Sequence, residues 1–302
     1  MNASASPHEL PLPGLREDNP RDFLAALGLL RLVDLLWPDS LPELSWSRET
    51  GIPKLSLNTA LPGDWGTKLL STFLEWKASE HNPFGYGKIE SIDVSDFRAL
   101  LLKESERSEF HTRYYVSLAA QIPHEKSGRR SEFIIESASR SVLNGIAALF
   151  ENQRSPIDIQ ADFEGLGPMR EVSNTSRWHP AEFKSAAYTS ADPQDLKHRD
   201  FASLNIVALF GLSYYPTIDT QRGRKTLGIR RVDKCTEFSW PVWQHPIDSS
   251  TVASLLHHPS IHQREALSEA IKAIGVHQVW RSRKFKPDGQ QNEYYSPAQP
   301  SL

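Results

Sequence analysis

Residues 19–37 read Asn19-Pro-Arg-Asp-Phe-Leu-Ala-Ala-Leu-Gly-Leu-Leu-Arg-Leu-Val-Asp-Leu-Leu-Trp37, and this stretch decides how the chain folds. Asp18 or Asn19 supplies a short side-chain oxygen that can cap a helix by accepting a hydrogen bond from a free first-turn N–H. Proline suits the first helical position, because its missing N–H costs nothing there. Pro38 ends the pattern, since the residue before a proline is pushed out of the helical region.

Between Phe23 and Leu36 only Arg31 and Asp34 are charged, so the predicted helix is apolar on nearly all sides. A helix of this kind is buried on nearly all sides. The small residues within it allow another backbone to approach closely. The stretch therefore predicts a central core helix; the alternative is a helix that docks on a partner.

The composition describes a globular chain without a general attraction to nucleic acid. Hydrophobic residues make up 39% and charged residues 24% of the 302 residues, and the net charge is −3. Any nucleic-acid binding must therefore come from local patches. Cys235 is the only cysteine, which excludes an intramolecular disulfide and a zinc site built from several cysteines. Residues 1–7 lack the basic start and apolar run of a signal peptide, which predicts a cytoplasmic protein that does not enter the membrane.

The order of periodic segments predicts an α+β fold. We expect a mainly helical part with short strands over residues 1–153, organised around helix 20–37. A second part over residues 154–302 is expected to hold a small, mostly antiparallel sheet with flanking helices. A single domain is the alternative. Among its strands, Thr236–Trp243 contains Pro241, which predicts a position at a sheet edge or a bulge.

The strongest match to a catalytic motif is His198-Arg-Asp200 with Asn205 at the spacing of a protein-kinase catalytic loop. The other kinase motifs are missing from the sequence, namely the Gly-rich loop, the strand lysine and the Asp-Phe-Gly segment. The run from Phe201 to Leu212 also has the pattern of a buried helix. We therefore interpret the match as chance and predict no catalytic residues.

Metal and cysteine chemistry are not expected either. His257, His258 and His262 lie close in sequence, but Pro259 breaks the helix that would place two of them on one face, and no nearby acid completes a ligand set. Cys235 sits at the start of a predicted strand and is interpreted as inert. We predict no metal and no cofactor.

Two basic clusters are better candidates for function, because arginines on neighbouring strands can hold phosphates through paired hydrogen bonds. Nearby tryptophans can stack on unpaired bases. The alternative is a solvated face of charges with the tryptophans in the core. The first cluster comprises Arg222, Arg224, Lys225, Arg230, Arg231 and Lys234; the second comprises Arg281, Arg283, Lys284 and Lys286; the tryptophans are Trp240, Trp243 and Trp280.

Several short segments together resemble proteins of type I-G (formerly I-U) CRISPR loci, including the large-subunit-like family of the interference complex. Large-subunit members are generally longer, so the chain resembles either a large-subunit-like or an accessory member. The resemblance implies binding of guide RNA, target DNA or other subunits, and it implies no catalytic residues. The segments are Leu12-Pro-Gly-Leu15, Asp18-Asn-Pro20, Phe23-Leu-Ala-Ala-Leu-Gly-Leu-Leu-Arg31, Trp178-His-Pro180, Asp192-Pro193, Asn205-Ile-Val-Ala-Leu-Phe-Gly211, Phe238-Ser-Trp-Pro-Val-Trp243 and Ser254-Leu-Leu256.

These observations predict a non-catalytic, RNA- or DNA-binding subunit of a ribonucleoprotein complex in prokaryotic antiviral defence. In such complexes base pairing reads the sequence, while protein subunits hold the backbone. One alternative is a protein-binding scaffold with apolar surface around Trp240-Pro-Val-Trp243. Another is a metal-dependent nuclease with scattered acidic residues.

Overall fold

The computed structural model describes residues 8–79, 93–120, 129–133, 158–172, 176–180, 198–220, 223–233, 235–263, 269–286 and 293–301. Arg222 and Lys234 of the first predicted basic cluster lie outside these residues. The boundary predicted near residue 153 also lies outside them.

The helices of the described part confirm the helical content that the sequence predicts, and short 3-10 turns follow three of them. The helices are α1 Pro20–Leu36, α2 Trp65–Ala78, α3 Val94–Arg107, α4 Glu109–Leu118, α5 Ile159–Phe163, α6 Ala202–Gly211, α7 Ser249–Leu256 and α8 Glu269–Ala273. The 3-10 turns are Pro38–Ser40, Leu212–Tyr214 and Pro259–His262.

The strands of the described part pair antiparallel throughout, which together with the helices confirms the α+β class. They are β1 His8–Pro11, β2 Glu43–Trp46, β3 Pro53–Leu57, β4 Ala119–Ala120, β5 Arg129–Arg130, β6 Arg170–Val172, β7 His198–Asp200, β8 Thr217–Thr220, β9 Gly223–Thr226, β10 Ile229–Val232, β11 Cys235–Trp243, β12 Ile247–Asp248, β13 Val276–Phe285, β14 Tyr294–Tyr295 and β15 Gln299–Pro300.

Helix α1 is the central core helix that the sequence predicts. The side chain of Asn19 accepts a hydrogen bond from the backbone N–H of Arg21 at 3.0 Å and so caps the first turn. Every residue from Pro20 to Leu30 is buried. Burial on all sides follows from the apolar composition, since no face of this helix would gain from contact with water.

Helices α1 and α6 pack with their backbones in contact. A Cβ atom built on Gly28 would lie 2.0 Å from the carbonyl oxygen of Val207, and one built on Gly211 would lie 2.0 Å from the carbonyl oxygen of Leu24. No side chain fits at either distance, so two glycines facing one another let the two backbones touch. The sequence expectation that small residues of α1 admit a second backbone is confirmed at Gly28.

Elements from both predicted parts of the chain share one sheet and one core. The four-stranded sheet has the order β1-β3-β2-β12, so a strand from the C-terminal half completes a sheet from the N-terminal half. The indole N–H of Trp243 donates to the carbonyl oxygen of Leu44 at 2.7 Å, and that of Trp240 donates to the carbonyl oxygen of Glu17 at 2.8 Å. The two halves are therefore tied together by buried hydrogen bonds.

The C-terminal sheet has the order β10-β11-β13-β14, with β15 also paired to β13. Pro241 lies in β11, a central strand, next to a register shift that fits the bulge, one of the two positions that the sequence predicts. A proline is tolerated there because β10 covers only residues 235–238 of β11, so Pro241 is beyond its end. The register with β13 shifts just after it, between Val242 and Trp243.

Candidate nucleic-acid interface

The C-terminal sheet has one face in the core and one face that carries charge. Side chains alternate between the two faces along each strand. Phe238, Trp240 and Val242 of β11 are fully buried in the hydrophobic core. The alternate residue Glu237 lies opposite Arg230 of β10 and opposite Arg283 of β13. The register of three strands therefore places two arginines and one glutamate in a row on the second face.

Cations of both predicted basic clusters act electrostatically on His262. Burial is the largest cause of the lowered pKa of His262, and the nearby positive charges of Arg230, Lys225 and Arg281 lower it further. Arg230 and Lys225 come from the first predicted cluster and Arg281 from the second. The fold thus brings together cations that are about 50 residues apart in sequence.

We use the name basic face for Lys225, Arg230, Arg281 and Arg283. Lys225 is exposed and Arg230 is half-buried. Arg281 is half-buried and donates through Nη2 to the carbonyl oxygen of Gln263. The side chain of Arg283 is 48% exposed, and its Nε lies 3.0 Å from Oε2 of Glu237, which raises the pKa of the guanidinium. All four side chains are exposed or half-buried, and among them Arg283 is anchored to the sheet through Glu237.

The remaining described cations of the two clusters lie elsewhere. Arg231 is on the other face of β10, where its Nε lies 3.5 Å from Oε1 of Glu132. Arg224 on β9 lies across from Asp219 of β8.

Lys284 corrects a sequence prediction, because it is only 8% exposed. Its ammonium donates to the carbonyl oxygen of Glu132 and lies 5.6 Å from the ring centroid of Tyr295. A buried lysine held in this way is not placed to contact a phosphate on the surface.

The predicted base-stacking tryptophans also need correction. Trp240 and Trp243 are 0% and 1% exposed, with their rings packed around Phe23 of α1. Their faces are covered by the core, so the prediction that they stack on bases is wrong for this structure, and so is the alternative that they form an apolar docking surface. Trp280, directly across from Trp240, is half-buried and packs against the core.

An open groove of about 570 Å³ lies against the basic face. Its walls are formed by β11, by β13 and by the returning C-terminal segment. The sequence predicts a polar tail after β13, whereas the chain folds back there as β14 and β15. The lining residues are Cys235, Glu237, Arg281, Arg283, Lys284, Phe285, Ser296, Gln299, Pro300 and Ser301.

Sequence reasoning missed Glu237 and assigned no role to His262 beside the cations. The strand register identifies Glu237. It alternates with core residues along β11 and lies opposite one arginine on each neighbouring strand. His262 was considered only as a metal ligand; its Nε2 lies 3.3 Å from the carbonyl oxygen of Leu256. Across the part of the chain that the structure describes, no three His, Cys, Asp or Glu residues converge to hold a metal ion.

A second group of charges lies inside the core, at the kinase-like motif. Arg21 donates through Nε to Asp22 at 2.8 Å and through Nη1 to Asp200. Asp200 also accepts from the side-chain amide of Asn205 at 2.8 Å, and that residue in turn accepts from Ser176 at 2.6 Å. The motif residues Asp200 and Asn205 are thus engaged in buried hydrogen bonds, consistent with a chance match.

Burial sets the protonation of these acids. Desolvation raises the pKa of Asp22 to about 6, although the charge of Arg21 opposes the shift. Desolvation also acts on Asp200, but the charge and hydrogen bond of Arg21 outweigh it and lower its pKa. The two acids share one guanidinium, so one of them is fully ionised and the other titrates at mildly acidic pH.

Comparison of the chain with protein-family models and with curated proteins finds no match. The resemblance to type I-G CRISPR proteins stays a prediction. In the described segments, no helix combines the length and the apolar character needed to cross a membrane.

Proposed function

We propose that this chain is a non-catalytic nucleic-acid-binding subunit of a prokaryotic RNA-guided, CRISPR type I antiviral complex, and that the basic face contacts phosphates. The observation that carries the proposal is the convergence of Lys225, Arg230 and Arg281 around His262. Positive charges that act on one site repel one another, and a polyanion relieves that repulsion. The net charge of the whole chain is −3, so this local positive charge does not follow from a basic composition.

The geometry suits a phosphate backbone better than a single small anion. The cations come from three strands, of which β10 and β13 belong to the C-terminal sheet and β9 to a separate two-stranded sheet, so they are spread over a surface and do not enclose one point. Guanidinium groups at successive positions can hold successive phosphates. The resemblance to CRISPR proteins supplies the biological setting, in which a protein subunit holds the backbone of guide RNA or target DNA.

The test is a salt titration of binding to labelled single-stranded RNA, single-stranded DNA and duplex DNA. The test variant is Lys225→Gln with Arg230→Gln; the matched control is Lys54→Gln with Lys68→Gln, which removes the same charge from exposed positions on β3 and α2. For a single strand we expect the test variant to flatten the slope of log K against log salt by about 1.4, because each phosphate contact contributes about 0.7.

Three outcomes contradict the proposal. Absence of binding by the unmodified protein to all three ligands removes the nucleic-acid function and favours a scaffold. An unchanged slope in the test variant, or an equal change in the control, contradicts the assignment of the phosphate contacts to the basic face. Cleavage of the labelled strands in the presence of divalent ions removes the non-catalytic assignment.

A further inference from the structure

The groove beside the basic face contains a buried acceptor that the described residues leave without a donor. Glu237 is 3% exposed, and its Oε2 is held by Arg283. Its other carboxylate oxygen, Oε1, is buried and has no hydrogen-bond partner among the residues that the structure describes. A buried carboxylate oxygen without a hydrogen bond lowers the stability of the folded protein. A donor on a bound ligand would remove that cost.

The groove that Glu237 lines is of a size that holds a small planar group. The groove measures about 570 Å³, within the roughly 300–1,000 Å³ of small-molecule sites. Phe285 supplies an aromatic ring to its lining, and Arg281 and Arg283 supply positive charge. An aromatic ring, a cation and a buried acceptor are the three features that recognise a base, its phosphate and its hydrogen-bonding edge.

We infer that this groove holds one unstacked base of the bound single strand and prefers bases that carry an exocyclic amine. The inference rests on the proposed function. An ionised carboxylate only accepts hydrogen bonds, and the amines of cytosine, adenine and guanine donate them. Uracil and thymine offer one ring N–H between two carbonyl oxygens, whose lone pairs repel the carboxylate. Glu237 is thus the residue that discriminates, while the arginines hold the phosphate.

The first experiment compares short RNA oligomers of identical length with the unmodified protein at one salt concentration. We expect oligo(C) and oligo(A) to bind at least about fivefold more tightly than oligo(U), in line with the discrimination that one good base contact provides. Oligo(C) in which each base is replaced by N4,N4-dimethylcytosine should fall to the level of oligo(U), because its amine no longer donates. This arm changes only the ligand, so it is independent of how any variant folds.

The second experiment uses Glu237→Gln, which keeps the shape and leaves an oxygen for Arg283. An amide both accepts and donates, so we expect the preference for C and A over U to disappear while the salt slope is unchanged. The thermal midpoint of the variant reports whether it is folded.

The outcomes separate the inference from the proposed function. Equal affinity for all oligomers with a steep salt dependence overturns the base site and leaves phosphate binding in place. A preference that survives dimethylation, or that survives in folded Glu237→Gln, overturns the role of the carboxylate. Failure to bind any oligomer overturns the proposed function, and the base site with it.

Discussion

Two groups of arginines in this molecule differ in how completely the fold uses them. In the core, Arg21 is 2% exposed and its donors are directed to Asp22 and Asp200. On the basic face, Arg283 has one acid partner and a side chain that is 48% exposed. Both residues look alike in the sequence, as an arginine near other charges. An arginine whose donors are bonded within the core stabilises the fold. An arginine with donors at the surface is available to bind a ligand.

The segments that carry the resemblance and the basic face lie in different parts of the molecule. Two of the matching segments, around Asn19–Arg31 and Asn205–Gly211, lie in the two helices that pack backbone to backbone. They define the core. The basic face lies on strands that the matching segments only touch, so its chemistry has to be tested directly.

The largest expected effect comes from removing the buried guanidinium. Arg21→Met leaves Asp22 and Asp200 buried together without a cation, so we expect a loss of about 3–5 kcal/mol in the free energy of unfolding, measured by urea denaturation. The matched control is Arg230→Met on the basic face, expected within about 0.5 kcal/mol of the unmodified protein. Equal losses in the two variants contradict the division between core and surface arginines.

The next largest effect tests the backbone contact between α1 and α6. Gly28→Ala places a Cβ atom 2.0 Å from the carbonyl oxygen of Val207, which forces the two helices apart. We expect a loss of about 1–3 kcal/mol or more. Gly63→Ala is the control, since nothing lies within 4 Å of its Cβ position. A thermal midpoint that is equally unaffected in both variants contradicts the close packing of α1 on α6.

A smaller effect concerns the pH dependence of the buried pair. The pKa of Asp22 is raised to about 6 in the folded protein, so the folded state binds the proton more tightly than the unfolded state. The stabilisation that results is complete below about pH 4 and is lost as the pH rises through 6. We expect the unmodified protein to lose up to about 3 kcal/mol over that window relative to Asp22→Asn. Parallel pH profiles contradict this assignment.

Much of the fold could be predicted from the sequence, because local signals and burial agree there. The cap at Asn19, the apolar run of α1 and the strand from Val276 to Phe285 all appear as expected. Of the two positions predicted for Pro241, the bulge fits the register shift beside it, and which of the two applies depends on where β10 ends, which is a tertiary fact. The return of the chain as β14 and β15 was missed, since two-residue strands carry no periodicity.

The site was predicted only in part, for a physical reason. Clusters of basic residues identify segments, but alternation along a strand decides the face of each residue. Lys284 follows Arg283 directly and is therefore buried on the opposite face. The tryptophans that seemed suited to stacking supply the large apolar area that the core needs, so hydrophobic burial determined their position.

The smallest expected effect separates two adjacent residues on one strand. Arg230 belongs to the basic face, whereas Arg231 lies on the other face, with a 75% exposed side chain near Glu132. Both belong to the first predicted basic cluster, but alternation predicts that only Arg230 contributes to binding. We expect Arg230→Gln to flatten the salt slope for single strands by about 0.7 and Arg231→Gln to leave it unchanged. Arg231→Gln should also cost at most about 1 kcal/mol of stability, as exposed ion pairs do. If the two single variants weaken binding equally, the strand does not present one face to the nucleic acid, and the comparison between the two faces of the sheet fails.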